Sequence, residues 1–151
     1  MRAIVWEGNM KKIINIVLLI IWLLVIFIFS SQKEEETKKT SDTFDVVINV
    51  VVKDEKKRPT AKFLVRKIAH FTEFFILALL LLNVIKDYKV IDYKWLLFTM
   101  IMCILYAMSD EFHQSFVDGR QARVLDIIID SSGSLFGLIM YKVFKFIGKK
   151  R

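Results

Sequence analysis

The sequence lacks several features that would place it among common soluble protein classes. It contains one cysteine, Cys103, which cannot form an internal disulfide and has no partner cysteines at the spacing of a zinc site. It shows no internal repeat and no low-complexity tract. Its lysines and arginines fall at the ends of apolar segments, rather than interleaving with aromatic residues on an exposed face as in a nucleic-acid-binding protein. A disulfide-bonded module, a repeat protein and a nucleic-acid-binding protein are therefore not expected.

The apolar residues, in contrast, are abundant and segregated from the charged ones. Hydrophobic residues make up 55% of the chain although 26% is charged, so the two kinds must occupy different segments. Residues 13–29 are apolar except for Asn15, and three further apolar segments follow, each about as long as a bilayer is thick. The sequence therefore predicts an all-α integral membrane bundle of four transmembrane helices. We place the spans at about residues 13–30, 63–85, 95–114 and 124–146.

The segments outside the spans are short except for one loop. Residues 1–12 form an N-terminal tail, residues 148–151 form a basic tail, and Met10 is a plausible native start. No small-residue cleavage site follows the first apolar segment, so we interpret it as an uncleaved helix rather than a signal peptide. The loop of residues 31–62 ends at the helix-entry signal Pro59. Within it, residues 41–52 have the spacing of a short interfacial helix, with an irregular loop as the alternative.

The distribution of positive charge predicts the orientation. The formal net charge is +7, and the lysines near both termini favour a cytoplasmic location for the two ends of this multi-pass cell-membrane protein. The loop of residues 31–62 also carries lysines, which weakens the signal, and we predict that this loop is extracytoplasmic. Basic residues beside apolar spans also predict contact with anionic membrane lipid.

The unusual polar residues all lie at span ends that antiparallel threading brings to the same membrane face. Steps of three and four residues keep side chains on one side of a helix. Span by span, the side chains that share a face are Arg66, His70 and Glu73; Asp110, His113 and Gln114; and Asp126 and Asp130. An unpaired charge within a bilayer costs at least about 2.5 kcal/mol, so we expect these residues to pair with one another or to line a hydrated cavity.

Small residues on the fourth span support this convergence. Gly133 and Gly137 share the face of Asp126 and Asp130, and this spacing allows close helix approach. Ion pairs that only hold the helices together are the structural alternative. The number of polar groups at one face exceeds what three helix contacts require.

Two polar motifs resemble those of the VanZ-like membrane proteins. Residues 66–74 read RKIAHFTEF, residues 109–120 read SDEFHQSFVDGR, and Asp126 and a DSSG run beginning at Asp130 follow. The resemblance extends from the polar exit of the first span to about Gly137. It implies a link to low-level glycopeptide (teicoplanin) resistance and to the bacterial cell envelope. The family often has Asn at the position of Asp130, so an additional negative charge is expected here.

Two functions follow as hypotheses. The first is a binding protein for an amphiphile, either a lipoglycopeptide or a lipid-linked cell-wall precursor. The candidate ligand-binding residues are Arg66, Lys67, Glu111, Gln114, Arg120 and Asp130. The second is an intramembrane hydrolase or transferase acting on a lipid-linked envelope precursor.

The enzyme hypothesis has its own set of residues. The candidate catalytic residues are His70, Glu73, Asp110, His113 and Asp126. A histidine would act as general base, or histidine and carboxylates would share a divalent ion, although no known metallohydrolase spacing is present. We assign no metal ligands and no cofactor, and the oligomeric state stays open. A transporter is the last alternative, since four spans without a duplicated half leave little room for alternating access.

Overall fold

A computed structural model of the chain describes residues 2–31, 54–117 and 123–149. The interfacial helix predicted at 41–52 lies outside these residues. So do Asp118, Gly119 and the candidate ligand-binding residue Arg120, which end the second polar motif.

Four long helices account for most of the described residues. They are α1 (Arg2–Ser31), α2 (Arg58–Lys86), α3 (Tyr93–Gln114) and α4 (Val124–Lys149), and a short 3-10 turn (Glu55–Lys57) precedes α2. Each contains a segment of 22 to 27 residues that is apolar enough to cross a membrane, which needs about 20 residues. The predicted four-span, all-α architecture is confirmed. Because α1 already begins at Arg2, most of the predicted N-terminal tail continues the first helix.

The sequence determines two of the helix starts through local chemistry. Pro59 stands in the first turn of α2, where its missing N–H would have no intrahelical partner. Asp92 caps α3, and its Oδ1 accepts hydrogen bonds from the backbone N–H groups of Lys94 at 3.0 Å and Trp95 at 3.2 Å. A cap of this kind satisfies N–H groups that the helix itself leaves unpaired.

Helix α2 lies at the centre of the bundle and makes its most extensive contact with α4. Two glycines of α4 allow this approach. A Cβ atom at Gly133 would lie 2.1 Å from the carbonyl oxygen of Phe71, and one at Gly137 would lie 3.0 Å from that of Phe75. The structure thus agrees with the expectation that small residues draw the acidic face of α4 towards its neighbours.

Helix α1 lies at the edge of the bundle and exposes most of its apolar side chains. Exposed apolar side chains suit a helix that faces lipid. Three hydrogen bonds from side chains fasten α1 to the other helices at different depths. Trp22 donates to the carbonyl of Glu73 at 3.0 Å, Tyr106 donates to the carbonyl of Leu23 at 2.8 Å, and Asn15 donates to Asp87 at 2.6 Å.

Candidate functional site

The antiparallel helices bring the C-terminal ends of α1 and α3 together with the N-terminal ends of α2 and α4. We call this the polar end of the bundle. Seven side chains that are buried or nearly so define its polar cluster, namely Lys67, His70, Asp110, Glu111, Gln114, Asp126 and Asp130. The structure therefore brings together side chains from three of the predicted spans, as the sequence predicts.

Lys67 and Asp126 form a buried ion pair between α2 and α4. The Lys67 ammonium donates a hydrogen bond to Asp126 Oδ1, and both side chains are almost fully buried. The same ammonium lies 5.1 Å from the centre of the Phe63 ring. Burial of a charge requires such a partner, so Lys67 is committed to the helix interface. Its predicted role in binding a ligand would have to share this amine with Asp126.

One turn further along the same interface, His70 faces Asp130. His70 Nδ1 lies 3.5 Å from Asp130 Oδ1, and the Asp130 side chain is completely buried. The two form an ion pair when the imidazole is protonated, but the geometry does not make a hydrogen bond. Ser134 follows on α4 and donates instead to backbone carbonyls, those of Phe74 at 3.4 Å and Asp130 at 3.2 Å.

Helix α3 contributes two carboxylates and an amide. Gln114 Nε2 donates to Asp110 Oδ2 at 2.8 Å, within one turn of the helix. Glu111 Oε2 accepts a hydrogen bond of 2.8 Å from the backbone N–H of Arg123, immediately before α4. Glu111 also lies within electrostatic range of Asp110, Asp126 and Asp130. The acids of α3 and α4 therefore share one region.

This region has more negative than positive groups. Its four buried acids are Asp110, Glu111, Asp126 and Asp130. The buried cations among the described residues are Lys67 and, when protonated, His70. Even with both charged, the acids outnumber the cations by two. Protons, water or donor groups of a ligand must compensate this excess, because an isolated buried charge is strongly unfavourable.

Several buried atoms in this region have no hydrogen-bond partner within the described parts of the chain. They are both carboxylate oxygens of Asp130, Oε1 of Glu111, Nδ1 of His70 and the hydroxyl of Ser30. Buried polar atoms are nearly always satisfied in folded proteins, and an unsatisfied one often marks a bound water or ligand. Here four of the five atoms are on members of the polar cluster.

A comparison with protein families places the chain in a family. The family model described as VanZ/LLP1 matches residues 15–145. The chain belongs to the VanZ/LLP1 family. With its four apolar helices, this VanZ/LLP1 member is a multi-pass membrane protein. No curated protein and no solved structure matches the chain.

Not every predicted site residue of this VanZ/LLP1 protein lies in the polar cluster. His113 instead contacts α1, where its Nε2 lies 3.0 Å from the Ser31 hydroxyl and its ring centre lies 4.6 Å from that of Phe27. Arg66 and Glu73 are half-buried and lie within electrostatic range of His70. Arg66 makes no ion pair with any residue that the structure describes.

Sequence reasoning did not assign Ser30 and Ser31 to the site. The buried hydroxyl of Ser30 and the contact of Ser31 with His113 add α1 to the polar end. The available signal was the Ser30-Ser31-Gln32 run that ends the first apolar segment. Two hydroxyl residues at the end of a span are common, however, and their spacing does not reveal a contact with a helix that lies more than eighty positions later.

The described residues contain no group of three His, Cys, Asp or Glu side chains arranged to hold a metal ion. Among the carboxylates of the polar cluster, Asp126 pairs with Lys67, Asp130 faces His70, and Glu111 accepts from a backbone N–H.

Proposed function

We propose that the polar end binds the headgroup of an amphiphile, either a lipid-linked envelope precursor or a lipoglycopeptide such as teicoplanin. Binding of this kind would link the protein to glycopeptide resistance or to envelope-lipid handling. The observation that carries the proposal is the set of three buried carboxylate oxygens, two on Asp130 and one on Glu111, that lack a donor among the described residues.

The missing partners define the chemistry of the ligand. Carboxylate oxygens accept hydrogen bonds and cannot donate them, so the ligand should present hydroxyl, amide or ammonium donors. Sugars and peptides provide hydroxyl and amide groups in number, and both occur in glycopeptides and in cell-wall precursors. A purely apolar ligand would leave the acceptors unsatisfied.

Arg66 supplies the complementary charge for the anionic part of the ligand. It lies on the same helix face as His70, is half-buried, and has no acidic partner in the described residues. A guanidinium offers a two-pronged donor array for phosphate or carboxylate. Lys67, in contrast, is already paired with Asp126, so the structure favours Arg66 over Lys67 for this contact.

Binding to protein in lipid nanodiscs tests the proposal with two probes that carry hydroxyl and amide donors, teicoplanin and a polyprenyl-phosphate-linked amino-sugar disaccharide. Wild-type protein should retain at least one of them. Glu111→Gln replaces an acceptor oxygen with a donor and should weaken retention on the order of tenfold, as expected for a lost hydrogen bond to a charged group. Asp54→Asn is the matched control, because Asp54 is exposed and lies outside the cluster. Retention of neither probe, or equal retention by the Glu111→Gln and wild-type proteins, would contradict the proposal.

The contact between His113 and Ser31 favours a second candidate, an intramembrane hydrolase or transferase acting on a lipid-linked precursor. A separation of 3.0 Å between Nε2 and the hydroxyl oxygen is within the range in which imidazole activates a serine. The same hydroxyl lies 2.6 Å from the carbonyl of Phe27, so its hydrogen has two competing acceptors.

An activity-based probe tests this second candidate. A fluorophosphonate should label the wild-type protein at Ser31, and His113→Ala should slow the labelling. Ser31→Ala provides the blank. A wild-type protein that is labelled no faster than Ser31→Ala has no activated serine at this position.

A further inference from the structure

The opposite end of the bundle carries a second feature that the polar end does not explain. A groove of about 680 Å³ opens between the end of α2, the connection to α3 and the end of α4. We call it the basic groove. Its principal lining residues are Lys86, Tyr88, Lys89, Ile91, Tyr141 and Lys145. The volume lies in the range of small-molecule sites.

The cations of the basic groove are available to a ligand. Lys86 and Lys89 are exposed and form no ion pair with described residues. Lys145 donates to the carbonyl of Ile91 at 3.1 Å, which holds its ammonium at the groove while two of its three N–H donors remain.

The nearest acids in sequence are fewer than the lysines and already accept hydrogen bonds from neutral groups. Asp87 accepts a hydrogen bond of 2.6 Å from Asn15, and Asp92 caps the first turn of α3. Both carboxylates therefore have structural partners. A further cation approaches from α1, where the Lys12 ammonium lies 5.1 Å from the centre of the Tyr88 ring. Four lysines thus stand against two aspartates, so this end of the bundle carries an excess of positive charge.

Its position at the ends of membrane spans specifies the kind of anion. Apolar side chains next to the lysines are strongly exposed, with 86% of Val90 and 65% of Phe144 accessible. At the boundary of a bilayer, such side chains contact acyl chains while tyrosines and lysines lie at the level of the headgroups. An amphiphile with a phosphate headgroup would contact both the lysines and the apolar side chains, whereas a soluble anion would contact only the lysines.

We infer that the basic groove binds the phosphate headgroup of an anionic phospholipid. This site is separate from the polar end and does not depend on the function proposed for it. Its lysines and tyrosines would make the protein prefer anionic over zwitterionic lipid at this face of the membrane.

Lipid competition tests the inference with the full-length chain. Protein is placed in nanodiscs of equal amounts of phosphatidylglycerol and phosphatidylcholine with distinguishable acyl masses, and the lipids that stay bound are measured by native mass spectrometry. Wild-type protein should retain phosphatidylglycerol preferentially. Lys86→Gln combined with Lys89→Gln should reduce this preference on the order of tenfold, since each lysine near an anionic surface contributes several-fold.

A second double variant removes the same charge elsewhere. Lys56 and Lys57 are exposed and lie in the 3-10 turn before α2, at the other end of the bundle, so Lys56→Gln combined with Lys57→Gln should keep the preference. Equal retention of the two lipids by wild-type protein overturns the inference. The same loss in both double variants also overturns it, because net charge rather than the groove would then govern retention.

Discussion

Lys67 of α2 and Asp126 of α4 meet as a buried ion pair at the polar end of the bundle, 59 positions apart in the sequence. The pair joins the two helices that make the most extensive contact in the structure. It lies one turn from the point where His70 faces Asp130. Stability and the proposed binding site therefore depend on the same helix interface.

Removing one partner of this pair should destabilise the protein strongly. Lys67→Met leaves Asp126 buried without its counter-charge, and such a change costs about 3–5 kcal/mol. Adding Asp126→Leu should restore much of the loss, since an apolar pair of similar volume needs no compensation. Thermal unfolding in detergent measures both effects. Lys57→Met is the control, because the Lys57–Asp54 pair is exposed, and unfolding of all variants at the wild-type temperature would contradict the expectation.

Replacing Asp130 with asparagine should change the stability of the protein differently from the same replacement at Asp126. Both carboxylate oxygens of Asp130 lack a hydrogen-bond donor among the described residues, whereas Asp126 accepts from Lys67. Asp130→Asn removes a buried negative charge from a region that already has an excess, so stability should stay equal or rise. Asp126→Asn leaves Lys67 with an acceptor oxygen but without its counter-charge, so stability should fall by up to about 3–5 kcal/mol. Thermal unfolding curves of the two variants measure this difference. A larger loss of stability in Asp130→Asn than in Asp126→Asn would contradict the expectation and show that the pairing of Asp130 with His70 stabilises the protein more than the excess of negative charge destabilises it.

A methyl group at Gly133 should disrupt the contact between α2 and α4. Its Cβ would come within 2.1 Å of a backbone oxygen of α2, so the helices would have to separate, and overpacking of this kind costs about 1–3 kcal/mol or more. Gly148→Ala is the matched control, because nothing lies within 4 Å of the added atom and alanine is the better helix former. The measurement is again thermal unfolding in detergent. Equal stability of the two variants would be inconsistent with the close approach described above.

Loss of the Tyr106 hydroxyl should loosen α1. This hydroxyl donates to the carbonyl of Leu23 at 2.8 Å, and a hydrogen bond of this type contributes about 1 kcal/mol. Tyr106→Phe should therefore lower stability by that amount and speed hydrogen exchange at the middle of α1. Tyr93→Phe alters a side chain that is 70% exposed and should have no effect. A protected α1 in Tyr106→Phe would contradict this expectation and mean that the other contacts of α1, including the hydrogen bonds of Trp22 and Asn15, are sufficient to hold it.

The fold could be predicted from the sequence because the features that indicate it, such as the length of each apolar segment, are local. Long apolar segments such as residues 13–29 predict spans by length, and antiparallel threading then places Asp110 and Asp126 at the same end. Gly133 and Gly137 predicted a close approach of α4 to its neighbours for a similar reason, since their small size permits it.

The partners within the site could not be predicted in the same way. Helical spacing placed Asp110, His113 and Gln114 on one face, yet Gln114 bonds to Asp110 while His113 turns towards Ser31 and Phe27 of α1. Spacing fixes which side chains share a face, but the rotation of a helix against its neighbours depends on the packing of all of them. The pairing of Lys67 with Asp126, rather than with a ligand, depends on the same rotation. The functional roles assigned to these residues stay predictions.

The separation of Lys67 and Asp126 along the chain has a consequence for biogenesis. The second span reaches the membrane while the ribosome has yet to deliver the fourth, so the lysine arrives long before its counter-ion. Until then its ammonium needs water or headgroups, because the lipid interior offers no acceptor for it. We therefore expect the ammonium of Lys67 to stay at the level of the headgroups until the fourth span docks, and a nascent chain that stops short of Asp126 would lack its counter-charge.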